Sequence, residues 1–336
     1  DGYGVRAADW HGTGSFEVPL VAGRAAAGVP FTGPVPAGQA VRILTGAMVP
    51  DGIDTVLLQE DTSTDAARIA FHGPLKPGAN IRKAGEDVVA GAVALPKGHR
   101  VRPQDLALLT ALGVAQVAVF ARLRIGVLST GDEVVEGSRP AQPHQIFDAN
   151  RPMLLAQIAA WGFEPVDLGL VPDDRASLAA RLDAGAAQAD MILTSGGASA
   201  GDEDHVSALL EQTGSLALWR IAMKPGRPLA LALWKGTPVF GLPGNPVAAF
   251  VCAHIFGGPA ARALSGEGWR EAQGVMVPAA FTKKMKAGRR EYLRARLNAD
   301  GAAEVFASEG SGRITIKAPT KPITTAVQRN KPTDLP

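Results

Sequence analysis

The sequence contains a single cysteine, Cys252, so no disulfide can form within the chain. This excludes the small secreted scaffolds that disulfides hold together and favours a reducing compartment. Cys252 lies in the apolar run 248–255, where a small buried side chain is a better interpretation than a nucleophile. The six histidines are scattered without a paired-ligand spacing such as H-E-x-x-H, which argues against a zinc site built from His and Cys.

Excess charge and long apolar stretches are also missing. Lys and Arg number 34 and Asp and Glu number 32, so the net charge of +2 does not call for nucleic acid or an anionic membrane. No segment approaches the roughly 18 uninterrupted apolar residues of a membrane span, and none has the pattern of a signal peptide. We therefore expect a cytoplasmic protein. Because the chain begins at Asp1 without a methionine, we also expect that residues precede it.

Three polar loops, each directly after a short apolar run, are the most informative feature. The first loop is STGDE (129–133), the second is TSGGASAGDED (194–204) and the third is GLPGNP (241–246). The runs before them predict buried strands, and in a parallel sheet ligands bind outside the carboxyl ends of the strands. Glycine amides suit an anion and carboxylates suit a metal or a proton. The loops therefore predict one site for a phosphorylated ligand with a divalent cation.

The composition fits a soluble α/β protein of several domains. Apolar residues make up 46% of the chain and charged residues 20%, and 336 residues are too many for one ordinary core. Alternating strands and helices over 121–266 predict a doubly wound, mostly parallel sheet. Within it, Asn150 is predicted to cap the helix that follows, and Asp173 and Asp174 to open the next one.

The flanking sequence predicts small β-rich domains. Residues 1–85 are rich in Gly and Pro with short apolar runs, which indicates a β domain with many turns. Residues 86–120 form a predicted connecting domain that ends in a strand over 114–120. Residues 267–336 predict a C-terminal domain resembling a β-barrel or a sandwich. Its predicted strands are 275–281, 291–297, 303–306 and 314–317.

Carboxylates in the first two loops are candidates for catalysis and metal binding. Asp132 and Glu133 follow a tight turn, and either could ligate Mg²⁺ or position a water. The alternative is that such carboxylates only begin a helix and face solvent. Because the loops converge, we favour a functional role for at least one of this pair. In the second loop we favour Asp204, since Glu203 fits the helix-start role.

Cations and prolines supply further candidates. Lys224 and Arg227 flank a rigid turn and could hold a phosphate or an oxyanion, although surface charge at a turn is nearly as good an interpretation. Pro243 and Pro246 shape a stiff wall before a helix, where a purely structural turn competes. A cationic strand start at Arg289 could equally protect an edge strand. Asp1, Thr45 and Asp87 are weak candidates when taken singly.

Taken together, these motifs resemble the MoeA family, the molybdopterin molybdenumtransferases, whose fold is also seen in the E domain of gephyrin-like proteins. The match covers essentially the whole chain in family order. The matching stretches are 1–3, 43–47, 82–87, 129–133, 147–150, 195–204, 224–228 and 242–246.

The resemblance implies a molybdopterin-binding α/β domain and an elongated homodimer, in which the N-terminal β domain of one subunit closes over the site of the other. It also implies that molybdate is inserted into the dithiolene of adenylylated molybdopterin with Mg²⁺ or another divalent cation, and that AMP is released. A MogA-like adenylyltransferase is a further partner that it allows.

The resemblance also assigns roles by motif. It implies catalytic roles for Glu133, Asp204, Asp1 and Asp173, with Glu133 and Asp204 as metal ligands. The residues that it implies in binding the substrates are Thr45, Asp87, Thr130, Gly131, Asp132, Asp148, Gly196, Gly197, Ser199, Gly201, Lys224, Arg227, Pro243, Gly244, Asn245, Pro246 and Arg289. One departure is Arg220, which stands where family members often have lysine and changes the geometry of that charge.

Two other functions stay open on the sequence. A MogA-like adenylyltransferase would use the same glycine-rich loops, but a lone enzyme of that type lacks domains such as 1–120 and 267–336. A non-catalytic dimeric scaffold would tolerate loss of Glu133 and Asp204, and both are present.

Overall fold

The computed structural model describes residues 1–65, 67–196, 205–211, 217–271, 273–284, 286–306 and 324–327. The chain divides into two compact units, Asp1–Ala94 and Leu95–Pro336. The four predicted domains are a finer division than this one, and their boundaries stay predictions.

The first unit is built on a six-stranded sheet. Its strands are β1 (Gly2–Val5), β2 (Ser15–Ala25), β3 (Ala40–Ile43), β4 (Thr55–Leu58), β5 (Ser63–Thr64) and β6 (Arg68–His72). Across the sheet the order is β4–β1–β3–β2–β6–β5, and only β2 and β3 run parallel. Trp10, Phe16 and Phe71 pack against one another in its core, with ring centroids 5.6 to 6.0 Å apart.

The second unit contains a six-stranded central sheet with helices. Its first half comprises α1 (Pro103–Ala111), β7 (Arg124–Thr130), β8 (Val134–Val135), β9 (Ile146–Phe147), α2 (Asn150–Trp161), β10 (Glu164–Val171), α3 (Arg175–Gln188) and β11 (Met191–Ser195). Next come α4 (His205–Glu211), β12 (Ala217–Arg220), β13 (Met223–Lys224), β14 (Pro228–Trp234), β15 (Thr237–Leu242), α5 (Pro246–Cys252) and α6 (Gly258–Leu264).

The central sheet is mostly parallel. Its order is β10–β7–β11–β15–β14–β12. The strands β10, β7, β11 and β15 run parallel, and β14 and β12 complete the sheet with antiparallel pairings. The carboxyl ends of β7, β11 and β15 therefore share one edge, which is where the three polar loops begin.

Helices cover both faces of this sheet. In β11, Met191 and Leu193 belong to the apolar core that includes α2, α5 and α6, whereas Ile192 belongs to the core that includes α3 and α4. This alternation follows from the two-residue period of a strand. It confirms the doubly wound α/β fold that the sequence predicts.

Capping residues set the helix boundaries. Asp174 accepts a hydrogen bond from the third amide of α3 at 2.9 Å, and so opens the helix as the sequence predicts. Asn245 accepts two backbone hydrogen bonds at 3.1 Å at the start of α5, where Pro246 occupies the first turn. Gly162, with φ of +89°, ends α2 in the left-handed conformation.

One helix of the second unit is unusually long and apolar. A π-helical turn, Ala253–Gly257, joins α5 to α6, and the continuous helix Pro246–Leu264 has the length and composition of a membrane span, with mean hydropathy 1.4. It is half buried inside the protein. Ala249, Cys252 and Ala260 lie in the apolar core of the central sheet. The apolar side chains of this helix are therefore explained by its packing in the protein core.

Cys252 is fully buried within α5, as the sequence predicts. Its Sγ lies 3.7 Å from the carbonyl oxygen of Gly226. Burial raises the pKa of the thiol to about 12. The thiol is therefore neutral at pH 7 and unsuited to act as a nucleophile.

A smaller sheet closes the second unit. It contains β16 (Arg290–Leu297), β17 (Ala303–Val305) and β18 (Thr324–Val327), which pair antiparallel with β16, and β13 joins β16 in parallel. The predicted strands 291–297 and 303–306 are confirmed within a residue at each end. The predicted strand 314–317 lies outside the described residues.

Two predicted strands were wrong. Residues 114–120 and 275–281 are rich in β-branched and apolar side chains, but neither forms a strand. Only an isolated bridge joins Ala279 to Ala303. Val119 and Met276 are 71% and 89% exposed. The side-chain composition favours an extended chain. A strand also needs a partner strand to form hydrogen bonds with, and the described residues provide none here.

Candidate functional site

The first, second and third loops meet at the carboxyl edge of the central sheet. Ser195, the last residue of β11, pairs in register with Ser129 of β7 and Leu242 of β15. The amide of Gly196 donates to the carbonyl of Leu242 at 3.3 Å. A Cβ on Gly244 would lie 3.9 Å from Cα of Gly196. The second and third loops are thus joined by a hydrogen bond, and Gly244 lies close to Gly196.

Gly196 also packs closely against the first loop. A Cβ at this position would lie 2.8 Å from the carbonyl oxygen of Thr130 and 2.9 Å from its Oγ1, and φ is +96°. Both the backbone conformation and the close approach therefore require glycine. Thr130 and Gly131 are buried beneath this contact, so their groups shape the floor of the edge.

The two carboxylates of the first loop have different environments. Asp132 Oδ1 accepts a hydrogen bond from the backbone amide of Asp173 at 3.0 Å, which ties the first loop to the turn after β10. Glu133 is exposed, and a Cβ on Gly131 would lie 2.6 Å from its Oε2. Glu133 forms no ion pair with a described residue. Asp132 thus has a structural contact, while Glu133 presents an available charge.

Asp148 uses its carboxylate within the chain. Its Oδ1 accepts from the backbone amide of Arg151 at 3.0 Å, its Oδ2 pairs with Arg151 Nε at 3.1 Å, and its side chain is 3% exposed. Arg151 also pairs with Glu136 and Asp167 at 2.9 Å each. Burial opposes the charge of Arg151, but hydrogen bonds with Asp167 and Asp148 outweigh it and raise its pKa.

The prediction that Asn150 caps α2 was wrong. Asn150 is the first residue of the helix, and Asp148 accepts the hydrogen bond from the helix amide instead. The Asn150 side chain turns towards the loops. Its Nδ2 donates to Ser195 Oγ at 2.6 Å and to the carbonyl oxygen of Gly244 at 2.7 Å. Sequence reasoning missed this contact. The signal that could have found it is that Asn150 ends the stretch 147–150, which matches the family and contains Asp148.

The third loop forms a rigid wall. Pro243 is buried, whereas Gly244 is exposed at the edge. Asn245 and Pro246 serve the start of α5, so the side-chain oxygen of Asn245 is occupied by helix amides. The loop therefore offers its backbone at Gly244 rather than the Asn245 oxygen.

Two of the predicted cations lie near the same buried carboxylate, Lys224 on β13 and Arg289 directly before β16. Lys224 of β13 stands opposite Glu291 of β16. Arg289 donates twice to Glu291 Oε1, at 2.6 and 3.0 Å, and Lys283 Nζ lies 3.9 Å from Oε2. Glu291 is 2% exposed. This buried carboxylate therefore organises the cationic cluster, and sequence reasoning missed it because it looked like one acid in a basic strand.

Lys224 and Arg227 sit on a tightly anchored turn. Both are exposed, and neither forms an ion pair with a residue that the structure describes. Gly226 between them has φ of +95°, and a Cβ there would lie 2.5 Å from Cys252 Sγ. The turn is fixed against α5, so the two cations project from a rigid base.

In the first unit, Asp1 and Thr45 are in contact. The amide of Thr45 donates to Asp1 Oδ1 at 2.8 Å, and Arg42 lies 4.0 Å from Asp1 Oδ2. Asp87 is exposed, and its carboxylate pairs with Arg82 rather than with either of these residues. The structure thus joins two of the three predicted residues of this unit.

Part of the predicted site is not described. Gly197, Ser199, Gly201 and Asp204 of the second loop lie outside the described residues. In the part of the chain that is described, no group of three or more His, Cys, Asp or Glu side chains could hold a metal ion. Of the predicted metal ligands, Glu133 is described and Asp204 is not.

Comparison with known proteins defines the class. Residues 126–263 match the family described as "Probable molybdopterin binding domain", and residues 1–113 match "MoeA N-terminal region (domain I and II)". The three-loop edge lies inside the first of these matches. Fold and site therefore define a protein with a molybdopterin-binding type of α/β domain and an N-terminal region of the MoeA type.

Individual relatives show the family to which the chain belongs. The chain is 40% identical to a molybdopterin molybdenumtransferase of Haemophilus influenzae over 309 residues, which is 91% of this chain and 76% of that protein. It is 35% identical to molybdopterin molybdenumtransferase 2 of Mycobacterium tuberculosis, covering 89% of this chain and 76% of the relative. The chain belongs to the MoeA family, as its motifs indicate.

Two solved structures of MoeA proteins are also similar to this chain. A crystal structure of a molybdopterin biosynthesis MoeA protein from Pyrococcus horikoshii OT3 matches with a TM-score of 0.77 at 28% identity, covering 94% of this chain and 78% of that one. A second crystal structure of a MoeA protein from Pyrococcus horikosii matches with a TM-score of 0.71 at 30% identity, covering 92% and 77%.

Proposed function

We propose that this protein acts in molybdenum cofactor biosynthesis, inserting molybdate into the dithiolene of adenylylated molybdopterin and releasing AMP. The observation that carries the proposal is the edge where the three loops meet, inside the region that matches a probable molybdopterin binding domain. The relatives at 40% and 35% identity are named as molybdopterin molybdenumtransferases, which supports the same reaction.

The described residues have distinct parts in this proposal. The exposed glycine backbone at Gly244 lets a substrate approach the third loop closely, and glycine loops of this kind favour a phosphate. The Gly196 amide already donates to Leu242 and holds the second loop in place. Glu133 supplies a negative charge at the edge for a proton or a cation. Lys224 and Arg227 supply positive charge for molybdate or for the pterin phosphate. Each role depends on the group being fixed before the substrate binds.

The divalent cation belongs to the proposal as well. Mg²⁺ or a similar ion would neutralise charge between phosphate and carboxylate. Glu133 is the single described carboxylate of the predicted pair, so no reaction step is assigned to the ion.

The direct test is incubation with adenylylated molybdopterin and molybdate while AMP release and cofactor formation are followed. We expect AMP release that depends on molybdate. A MogA-like adenylyltransferase would instead require Mg²⁺-ATP and consume molybdopterin itself. AMP release without molybdate dependence, or none at all, would contradict molybdenum insertion. A scaffold without activity would show no AMP release, with or without Glu133.

Loss of Lys224 is expected to weaken binding of the anionic substrate in a salt-sensitive way. Removing one charged hydrogen bond costs on the order of tenfold in affinity, and exposed charges are screened within about 10 Å at 0.1 M salt. We expect Lys224→Gln to raise the Kd for molybdopterin roughly tenfold at low salt and less at high salt, as measured by titration.

Lys235 provides the matched control for this prediction. It lies in the turn between β14 and β15, where it pairs with Asp183 at 2.8 Å. Lys235→Gln makes the same change at the opposite edge of the sheet and is expected to leave the Kd unchanged. If Lys224→Gln and wild type bound equally well at both salt concentrations, Lys224 would be a charged surface residue of the turn without a role in binding.

We also propose a homodimer in which Asp1 and Glu133 serve the same site from different subunits. Asp1→Asn and Glu133→Gln, each inactive alone, are then expected to regain activity when mixed. Random exchange makes roughly half of the dimers mixed, and one site of each mixed dimer carries neither change, so about a quarter of all sites recover. AMP release after confirmed subunit exchange measures this. No recovery would assign both residues to one subunit, or Asp1 to no site.

A further inference from the structure

Asn150 joins parts of the chain that are distant in sequence. Its Nδ2 donates to Ser195 Oγ at 2.6 Å, 45 residues away, and to the carbonyl oxygen of Gly244 at 2.7 Å, 94 residues away. Ser195 is the last residue of β11, and Gly244 lies in the third loop. One amide group therefore connects the start of α2 with two of the three loops.

The burial of Asn150 makes this connection unusual. The residue is 7% exposed, and its Oδ1 has no hydrogen-bond partner among the described residues. Ser129 Oγ and Thr194 Oγ1, on the neighbouring strand ends, are buried without a partner as well. A buried acceptor without a partner destabilises a fold. Stability alone does not explain an amide at this position.

The two contacts of Nδ2 require an asparagine-like donor. Ser195 Oγ and the Gly244 carbonyl each receive one of its two hydrogens. Aspartate has nearly the same shape but no hydrogen to donate when ionised. Because Gly196 is hydrogen-bonded to Leu242 of the third loop and lies close against Thr130 of the first loop, a shift of the third loop is passed on to the other two.

We propose that Asn150 is a positioning residue that holds the second and third loops at the spacing that molybdopterin needs. The proposal rests on the proposed function, because it takes molybdopterin as the ligand of this edge. Asn150 acts through Ser195 and Gly244 and does not itself have to contact the ligand.

The test compares Asn150→Asp and Asn150→Ala with wild type by titration with molybdopterin. We expect both variants to bind at least roughly tenfold more weakly, since two hydrogen bonds that set loop spacing are lost. Aspartate preserves the shape but adds a negative charge, whereas alanine removes the side chain without adding charge, so a loss in both variants would identify the missing donor, which is the change that they share, as the cause. Wild-type affinity in Asn150→Asp and Asn150→Ala would overturn the proposal.

Trp234→Phe is the matched control. Trp234 is also buried, and its Nε1 donates to Asp183 Oδ1 at 2.8 Å. Trp234 pairs with Thr237 at the first residue of β15, at the opposite edge of the same sheet. Trp234→Phe is expected to lower the melting temperature but not the affinity. If Trp234→Phe weakened binding as much as the Asn150 variants at an equal loss of stability, the weaker binding would be explained by general destabilisation and not by loop positioning.

Amide hydrogen exchange separates this proposal from the proposed function, because it needs no ligand. In the ligand-free protein, Asn150→Ala is expected to speed exchange at the Gly196 amide, which donates to the Leu242 carbonyl of the third loop at 3.3 Å, and Trp234→Phe is not. Unchanged exchange at this amide would overturn positioning even if wild type binds molybdopterin. Faster exchange, together with a wild type that does not bind molybdopterin, would retain positioning and overturn the proposed function.

Discussion

Replacement of Glu133 by glutamine is expected to lower molybdate-dependent AMP release on the order of 100-fold, because losing one oriented charged group at a transition state costs about 3 kcal/mol. Glu133 is exposed at the edge where the loops meet and has no ion pair with a described residue, so its charge is available to a ligand. Glutamine keeps the shape and removes the charge. The measurement is the rate of AMP release at fixed adenylylated molybdopterin and molybdate, with thermal unfolding to show that the fold is intact.

Glu164→Gln is the control for charge alone. Glu164 is an exposed carboxylate at the first residue of β10, at the opposite end of the parallel strands. Its replacement is expected to leave the rate unchanged. Near-wild-type turnover of Glu133→Gln would remove Glu133 from the catalytic residues. A similar loss in Glu164→Gln would indicate a general effect of charge.

Gly196→Ala is expected to give the largest loss of binding of any single methyl group added at this edge. The new Cβ would lie 2.8 Å from the Thr130 carbonyl oxygen, which is backbone and cannot turn away, and φ is +96°. Strain at positive φ costs about 1–2 kcal/mol, and overpacking about 1–3 kcal/mol. Separating the first and second loops would relieve the clash but open the site. We expect molybdopterin affinity to fall roughly 100-fold, as measured by titration.

Gly236→Ala separates backbone strain from the clash. Gly236 has φ of +87°, but a Cβ there would meet nothing within 4 Å. It lies in the turn between β14 and β15. We expect this variant to lose about 1–2 kcal/mol of stability from the positive φ and to bind molybdopterin normally. If both alanine variants bound equally well, close packing of Gly196 on Thr130 would not matter for the site.

Much of the second unit could be predicted because its signals are local. Asp174 and Asn245 bond to amides within three residues, so their roles as helix starts follow from neighbouring sequence. The apolar runs in β7 and β11 predicted buried parallel strands, and polar loops after them predicted a ligand edge. These features depend on periodicity and on hydrogen bonds that close over a few residues.

The sequence predictions that were wrong or incomplete have a common cause. Residues 114–120 and 275–281 have the composition of strands, but a strand exists only beside a partner that its own residues do not specify. Asn150 was assigned to the helix that it begins, yet its amide bonds to Gly244, 94 residues later. Glu291 looked like one acid among bases, but burial makes it the centre of their ion pairs.

By itself, the sequence determined the doubly wound α/β class, the three loops that form the candidate site and the resemblance to the MoeA family. Only the tertiary structure decided which side chains of those loops are available to a ligand. Asp132, Asp148 and Asn245 are engaged by backbone or arginine partners, while Glu133, Lys224 and Arg227 form no ion pair with a described residue. The physical reason is that local pattern sets the type of each element, whereas the partner of a polar side chain is set by which distant segments pack beside it.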